Sequence, residues 1–448
     1  MKKQQLQAKV KSGEIDTIIA AFPDVFGRLV GKRFVAQFFL DEVADHGTHA
    51  CNYLLAVNIE MDPLDGFAIA NWENGFGDFE MRPDWNSPRL IPWLPGTALI
   101  FCDYHREEGG LVDEAPRSVL RRQLENLARR KWESRLASEL EFFLYNQTYH
   151  DIFANDYRHP TPSSDYRVDY QILQPSRDEA LMRAVRQGML GAGVPVENSK
   201  GEWGRGQHEI NFTYGEPLEV ADNHILFKHG VKEIAAQYGK AVTFMPKPFA
   251  QEVGSSCHIH LSLWRGERSI FWDEKSRTGS KTFRQFMGGL LKYSPELCYF
   301  FGPTINSYKR YQPASWAPTK MAWAHDNRTV GFRVVGSNRS FRIENRMPGA
   351  DANPYLAFAA MIAAGMAGIE EGLDCGDCYV GNAYADAKLR ALPHSLSDAA
   401  ELLDKSDLAR RAFGEPVVEF YVHTARLEAQ AYDNAVTDWE RARYFERI

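Results

Sequence analysis

Three short segments of this chain alternate charged or imidazole side chains with apolar ones, and this alternation constrains the fold more than any other feature. Arg342, Glu344 and Arg346 alternate within Ser340-Phe341-Arg342-Ile343-Glu344-Asn345-Arg346. Glu139 and Glu141 alternate in Ser138-Glu139-Leu140-Glu141-Phe142-Phe143, and His258 and His260 in Cys257-His258-Ile259-His260-Leu261. Successive side chains of an extended strand point to opposite faces. Each segment is therefore predicted to be a strand with one buried face and one chemical face. Taken alone, an ExE strand is usually a solvated face, and Arg-x-Glu-x-Arg is a surface ion-pair ladder worth little energy. Three such strands together predict a pocket lined by carboxylates, imidazoles and guanidiniums. That inventory suits divalent metals and phosphates.

At 448 residues the chain is long enough for one large domain and a smaller one. The boundary is placed near residue 108, giving units 1–108 and 109–448. Pro92, Pro95 and Gly96 punctuate the end of the first unit. A hydrophobic content of 44% and a charged content of 25% are those of an ordinary folded protein. The net charge of −7 argues against a nucleic-acid or anionic-membrane partner. The polar start, Met1-Lys2-Lys3-Gln4-Gln5, leads into no signal-peptide core. The longest apolar run, Leu356 to Ile369, is about fourteen residues, short of a bilayer span, and is read as a buried helix after Asn353-Pro354. Of six cysteines only Cys375 and Cys378 make a CxxC pair, and no further metal ligands follow nearby. Reduced, mostly buried thiols in a cytoplasmic protein are the expectation.

The first hundred residues read mainly as strands and turns. Asp24 to Arg33 is a tight turn between strands, and Ala98 to Cys102 is a strand. Pro116 to Arg130 is an amphipathic helix with proline in its first turn. From about Asp398 onward the chain is helical and charged, a solvated exterior. Gly31-Lys32 lacks the spacing of a phosphate loop, and Gly204-Arg205-Gly206 lacks a third glycine. If a nucleotide is used, metals must hold its phosphates.

In chain order the polar segments are Glu139 and Glu141; Glu202-Trp203-Gly204-Arg205-Gly206-Gln207-His208-Glu209; Lys247-Pro248; Gly254-Ser255-Ser256-Cys257-His258-Ile259-His260-Leu261-Ser262; Asn306-Ser307-Tyr308-Lys309-Arg310; Asn327-Arg328 and Arg333; and the Arg342–Arg346 strand with Asn353-Pro354-Tyr355-Leu356. This order resembles the glutamine synthetase superfamily, class I-like, over nearly the whole chain. Within it the chain looks most like the γ-glutamylamide synthetases that make γ-glutamylethanolamide and γ-glutamylanilide. The resemblance implies an α+β fold. An N-terminal β-grasp domain would precede a catalytic domain with a curved antiparallel sheet and helices, in two stacked hexameric rings with shared active sites. It implies two or more Mg²⁺ or Mn²⁺ ions per site and ATP as co-substrate. Glu141, Glu202 and Glu209 resemble the ligands of the first metal, and Glu139, His258 and Glu344 those of the second. Arg310, Arg346 and Gly254 resemble the glutamate contacts, near Glu141. Arg328 and Arg333 resemble the arginines at the transferring phosphoryl group, with Glu202 also catalytic and Asp65 acting in the adjacent subunit's site. Glu197, Tyr214, His260, Ser262, Arg333 and Arg342 fall where the family contacts ATP.

The sequence departs from the ammonium-using members at the acceptor pocket. Asp65-Gly66-Phe67-Ala68 keeps the aspartate but has Phe67 and Ala68 where they carry serines. Trp316, in Ala314-Ser315-Trp316-Ala317-Pro318, stands where they carry a glutamate on a flap. Tyr170 keeps the aromatic of that pocket. Val253 precedes Gly254 where asparagine is usual, and Arg390 stands at the adenylylation tyrosine. Replacing a carboxylate by an indole penalises a small hydrated cation and favours an alkyl or aryl group. The chain is expected to join glutamate to an organic amine through γ-glutamyl phosphate. Glutamine synthetase itself and a catalytically silent member remain the alternatives.

Overall fold

The computed structural model describes residues 1–448. Near the N-terminus, β1 (Thr17–Pro23), β2 (Leu29–Val35), β3 (Thr48–Cys51), β4 (Asp78–Pro83), β5 (Arg89–Leu90) and β6 (Thr97–His105) form a six-stranded sheet. Its order is β2-β1-β6-β4-β3, with β5 paired to β6. The turn between β1 and β2 is held by Asp24, whose carboxylate accepts the backbone N–H groups of Phe26 at 3.0 Å and Arg28 at 2.8 Å. An aspartate that bonds its own following backbone is a turn-forming device.

The larger sheet contains β7 (Glu133–Tyr145), β8 (Val196–Gly201), β9 (Gln207–Phe212), β10 (Ala241–Thr243), β11 (Cys257–Arg265) and β12 (Arg268–Ser269). A separate ribbon is made by β13 (Trp272–Asp273) and β14 (Thr278–Gly279). Then β15 (Trp323–His325), β16 (Phe332–Val335) and β17 (Arg342–Asn345) complete the larger sheet. Its order is β15-β16-β17-β11-β7-β9-β8, with β10 on β7 and β12 on β11. Every pairing in it is antiparallel except β15 with β16. The inward residues of the central strands, Leu140, Ile259, Leu261 and Ile343, are fully buried.

The helix Pro354–Glu370 lies among other helices, buried from Pro354 to Gly368 as its all-round apolar sequence requires. It packs tightly against the helix Lys281–Tyr293. A Cβ on Gly289 would lie 2.1 Å from the carbonyl oxygen of Ala364, so only glycine allows this approach. No helix is long and apolar enough to cross a membrane. All six cysteines are free thiols.

Two expectations need correction. The chain opens with a helix, Lys3–Lys11, which buries Leu6 and Val10 one turn apart. The C-terminal helices are not a solvated exterior. Leu396–Asp404, Asp407–Phe413 and Glu415–Asp433 bury Leu403, Phe413, Val417, Val418 and Tyr421 in the core. Their charges occupy the outer faces while apolar residues recur at helical spacing. Of the C-terminal helices only the last, Asp438–Tyr444, buries nothing.

Arg117, in the helix Pro116–Arg129, ties the two sheets' supports together. Its guanidinium meets Asp84 at 2.5 Å, Asp103 at 2.7 Å and Asp222, and its side chain is 2% exposed. Tyr355 donates its hydroxyl to the same Asp222 at 2.5 Å.

Candidate active site

The period-two pattern places the chemical residues on one face of adjacent strands. On β7 and β11, Glu139 stands opposite His258. On β7 and β9, Glu141 stands opposite Glu209. On β16 and β17, Arg333 stands opposite Glu344, and Glu344 also stands opposite His260 of β11. Together they form one wall of a cavity of about 790 Å³.

Two groups of donors converge there. The donor atoms of Glu139, His258 and Glu344 lie within 4.8 Å of one another, as do those of Glu141, Glu202 and Glu209. His258 Nδ1 is 2.9 Å from Glu139 Oε1 and 3.6 Å from Glu344 Oε1. Burial would raise the Glu344 carboxyl, but His258, Arg346, His260 and Arg333 outweigh it and hold it at about 2. Burial likewise opposes ionisation of Glu139, whose bonds to His258 and His260 keep it well below the usual range. In the other group, burial followed by Glu139 and Glu202 pushes Glu209 up to about 10. Burial and then Glu202 raise Glu141. Carboxylates crowded at such cost are the signature of a site that wants a cation. Hard oxygen donors with a single imidazole fit Mg²⁺ or Mn²⁺. Metal ligands must be ionised, so metal binding here is expected to release a proton and to tighten as pH rises. Mn²⁺ calorimetry in buffers of different ionisation enthalpy measures that proton.

The arginines follow. Arg346 Nη1 bonds Glu344 Oε1 at 2.6 Å, and Arg333 Nη1 bonds Glu344 Oε2 at 2.8 Å. Arg310 is buried and bonds only the carbonyls of Met347 at 2.9 Å and Arg346 at 3.2 Å. A buried guanidinium without a carboxylate partner is suited to a ligand anion. Gly254 is required beside it, since a Cβ there would meet Pro246 O at 2.6 Å and Arg310 Cγ at 2.7 Å. Arg328, Tyr170 and Trp316 line the same cavity.

A second cavity of about 390 Å³ is lined by Glu197, Tyr214 and Ser262. The two share Glu139, Asn211, His260 and Arg342 in their walls, so they meet beside the Glu139–His258–Glu344 group. Arg342 Nε lies 3.2 Å from His260 Nδ1.

Three residues expected at the acceptor pocket, Asp65 among them through the adjacent subunit, lie outside this chain's own cavity. Phe67 is 3% exposed, its ring packed on Phe420 and His423 at centroid distances of 4.9 and 4.7 Å. It therefore faces its own chain's core and cannot wall this cavity. Asp65 and Ala68 are exposed and lie outside the cavity lining, with the Asp65 carbonyl bonded to His423.

Among the lining residues missed from sequence, four make contacts with the predicted ones. Lys200 on β8 pairs with Glu202 and lies 3.5 Å from Glu209. Gln207 donates to the carbonyl of Gly254 at 3.0 Å and to Glu141 at 3.3 Å. Asn211 donates to Glu209 at 2.9 Å. Trp203 sets its ring edge-on to Trp316 at 5.9 Å. Lys200 and Glu202 alternate, as do Gln207, Glu209 and Asn211, so the same period-two signal was present.

The profile of the glutamine synthetase catalytic domain matches residues 113–444. A γ-glutamylethanolamide synthetase from Streptomyces coelicolor is 49% identical over 99% of this chain and 96% of that protein. A glutamate–isopropylamine ligase from Pseudomonas is 36% identical, over 100% of this chain and 99% of its own length. The solved structure of apo GmaS superposes with a TM-score of 0.86 at 28% identity, covering 98% of this chain and 99% of that one. With this wall of carboxylates, imidazoles and guanidiniums in place, the chain belongs to the glutamine synthetase family.

Proposed function

We propose that this protein joins the γ-carboxylate of glutamate to an organic amine, alkyl or aromatic, at the expense of ATP. The observation that carries this reading is Trp316. It is half-exposed on the cavity rim, edge-on to Trp203, where an ammonium-handling flap would present a carboxylate. Ala314 and Trp316 both have positive φ, +59° and +66°, a backbone state that costs about 1–3 kcal/mol each. That cost marks a segment shaped for a purpose rather than for stability. The names borne by the relatives, ethanolamide synthetase and isopropylamine ligase, support the same reading.

ATP fits the second cavity, with Glu197, Tyr214 and Ser262 around the nucleoside end and its γ-phosphate where the cavities meet. Glutamate fits the first, its α-carboxylate on Arg310 and Arg346. The γ-carboxylate oxygen attacks the γ-phosphorus, ADP leaves, and the amine nitrogen then displaces phosphate from γ-glutamyl phosphate. Mg²⁺ or Mn²⁺ held by Glu139, His258 and Glu344 and by Glu141, Glu202 and Glu209 would neutralise the phosphate charge. Arg328 and Arg333 supply further positive charge where it develops.

The first 108 residues are read as a β-grasp unit, and copies as two stacked hexameric rings. The position of Asp65 and Ala68 outside their own chain's cavity supports a site completed by a neighbour's N-terminal unit. Free, largely buried thiols support a cytoplasmic setting.

Phosphate release from ATP and glutamate, assayed across ammonium, ethanolamine, alkylamines and aniline, tests the reading. Organic amines are expected to give the higher kcat/KM. If ammonium gives it, the protein is a glutamine synthetase, and if nothing stimulates release it is a silent member. Trp316→Glu is expected to shift the ratio of efficiencies toward ammonium by about tenfold, the scale of a single pocket contact. An unchanged ratio removes Trp316 from the acceptor site.

A further inference from the structure

Lys200 stands where a cationic acceptor would have to go. Its ammonium pairs with Glu202, lies 3.5 Å from Glu209 and sits 4.6 Å from the centroid of the Tyr170 ring. Two carboxylates and an aromatic face are the groups that would bind an ammonium ion. Here the chain's own lysine takes all three. The placement is set by the sheet, since Lys200 on β8 is the cross-strand partner of Glu209 on β9. Its side chain is only 17% exposed, so solvent screens it little. Asp169, which feels both Lys200 and Arg328, lies in the same cavity wall, as does Glu141. A divalent ion on Glu141, Glu202 and Glu209 would compete with the Lys200 ammonium for two of these carboxylates and would add its own positive charge to this wall.

We propose that Lys200 sets the charge of the acceptor: its ammonium neutralises the acidic corner, so the site rejects cationic amines and admits them as neutral molecules. This rests on the ligase reading above. A neutral amine nitrogen forms the C–N bond to the γ-acyl carbon, the acyl C–O bond to phosphate breaks, and the surplus N–H proton leaves on the phosphate. No base is then needed to strip a proton before attack. Discrimination against ammonium would come from repulsion by Lys200 as much as from the missing flap carboxylate.

The test compares full-length, assembled wild type, Lys200→Met and Lys200→Arg. Acceptor choice is read as kcat/KM for ammonium over that for aniline. Lys200→Met is expected to raise this ratio about tenfold, and Lys200→Arg, which keeps the charge, to leave it near wild type. An unchanged ratio in Lys200→Met overturns the proposal. Binding is read separately by thallium NMR, with Tl⁺ standing in for ammonium. Lys200→Met is expected to bind Tl⁺ about tenfold more tightly than wild type. If that variant is inactive, an unchanged Tl⁺ affinity overturns the proposal instead. Mn²⁺ binding, followed by EPR, is expected to be at least as tight in Lys200→Met, because a competing cation is gone. Weaker Mn²⁺ binding overturns the placement of Lys200 against the carboxylates. Wild-type enzyme that no amine stimulates would sink the ligase reading, and the Tl⁺ comparison would still decide on Lys200.

Discussion

Glu344→Ala is expected to lower kcat/KM for phosphate release by on the order of 10³-fold, the rate equivalent of about 4 kcal/mol. Glu344 has two tasks that alanine cannot share. It belongs to the Glu139–His258–Glu344 donor group. It also accepts from Arg333 and Arg346, joining the two guanidiniums through one carboxylate. Removing one partner of a buried ion pair typically costs about 3–5 kcal/mol, because the charge left behind has no compensation. The variant should therefore lose stability as well as activity. The deficit has a pH signature. The Glu344 carboxyl lies at about 2 in the fold against an ordinary 4.5. Its contribution is present above the ordinary value and is lost as pH falls toward about 2. Wild type and Glu344→Ala should thus draw together in thermal stability as pH falls from about 4.5 toward about 2. Parallel curves over that range would show that the ion pairs contribute nothing net. Mn²⁺ EPR should show one class of bound ion weakened.

Arg117→Ala is expected to destabilise the protein by about 3–5 kcal/mol while leaving every cavity-lining residue in place. Arg117 bonds Asp84 after β4, Asp103 on β6 and Asp222 on the helix Pro217–Gln237. Alanine would leave these carboxylates crowded, with Arg121 to serve Asp84 and Asp103 only. Burial alone would lower the Arg117 pKa, but Asp222 and Asp103 outweigh it and raise it well above normal, so the ion remains charged. The check is a thermal scan beside a kinetic assay at low temperature. A large loss of thermal stability with near-normal KM for glutamate is the expected pair. An unchanged transition temperature would mean that Arg121 and Arg89 take over the charge.

The active-site wall was legible in the sequence because period-two alternation is a local signal. Glu139, Glu141, His258, His260, Arg342 and Glu344 each announced a polar strand face. The register that sets Glu139 opposite His258 depends on chain segments far apart, and no local pattern reports it. Lys200 and Asn211 went unread although they alternate with recognised residues, because their cross-strand partners, Glu209 and Glu139, are not visible in the local pattern. Phe67 shows the opposite failure. Its place beside Asp65 suggested a pocket wall, but a phenyl ring near Phe420 gains more by burial than by lining a polar cavity. The C-terminal helices were misjudged for a similar reason. Their charge density masked an apolar stripe that only becomes visible at helical spacing.

The strand order β15-β16-β17-β11-β7-β9-β8 has a consequence for how the enzyme comes into being. The bond between Glu139 and His258 joins residues 119 positions apart, and both donor groups straddle such joins. Chain entropy must be surrendered before any of these contacts forms, which makes topologies of this kind slow to mature. Nascent chains released before β17 is made would lack Glu344 and with it the complete Glu139–His258–Glu344 donor group. Refolding yield should therefore respond to divalent cations late, after the backbone has closed, and not during collapse.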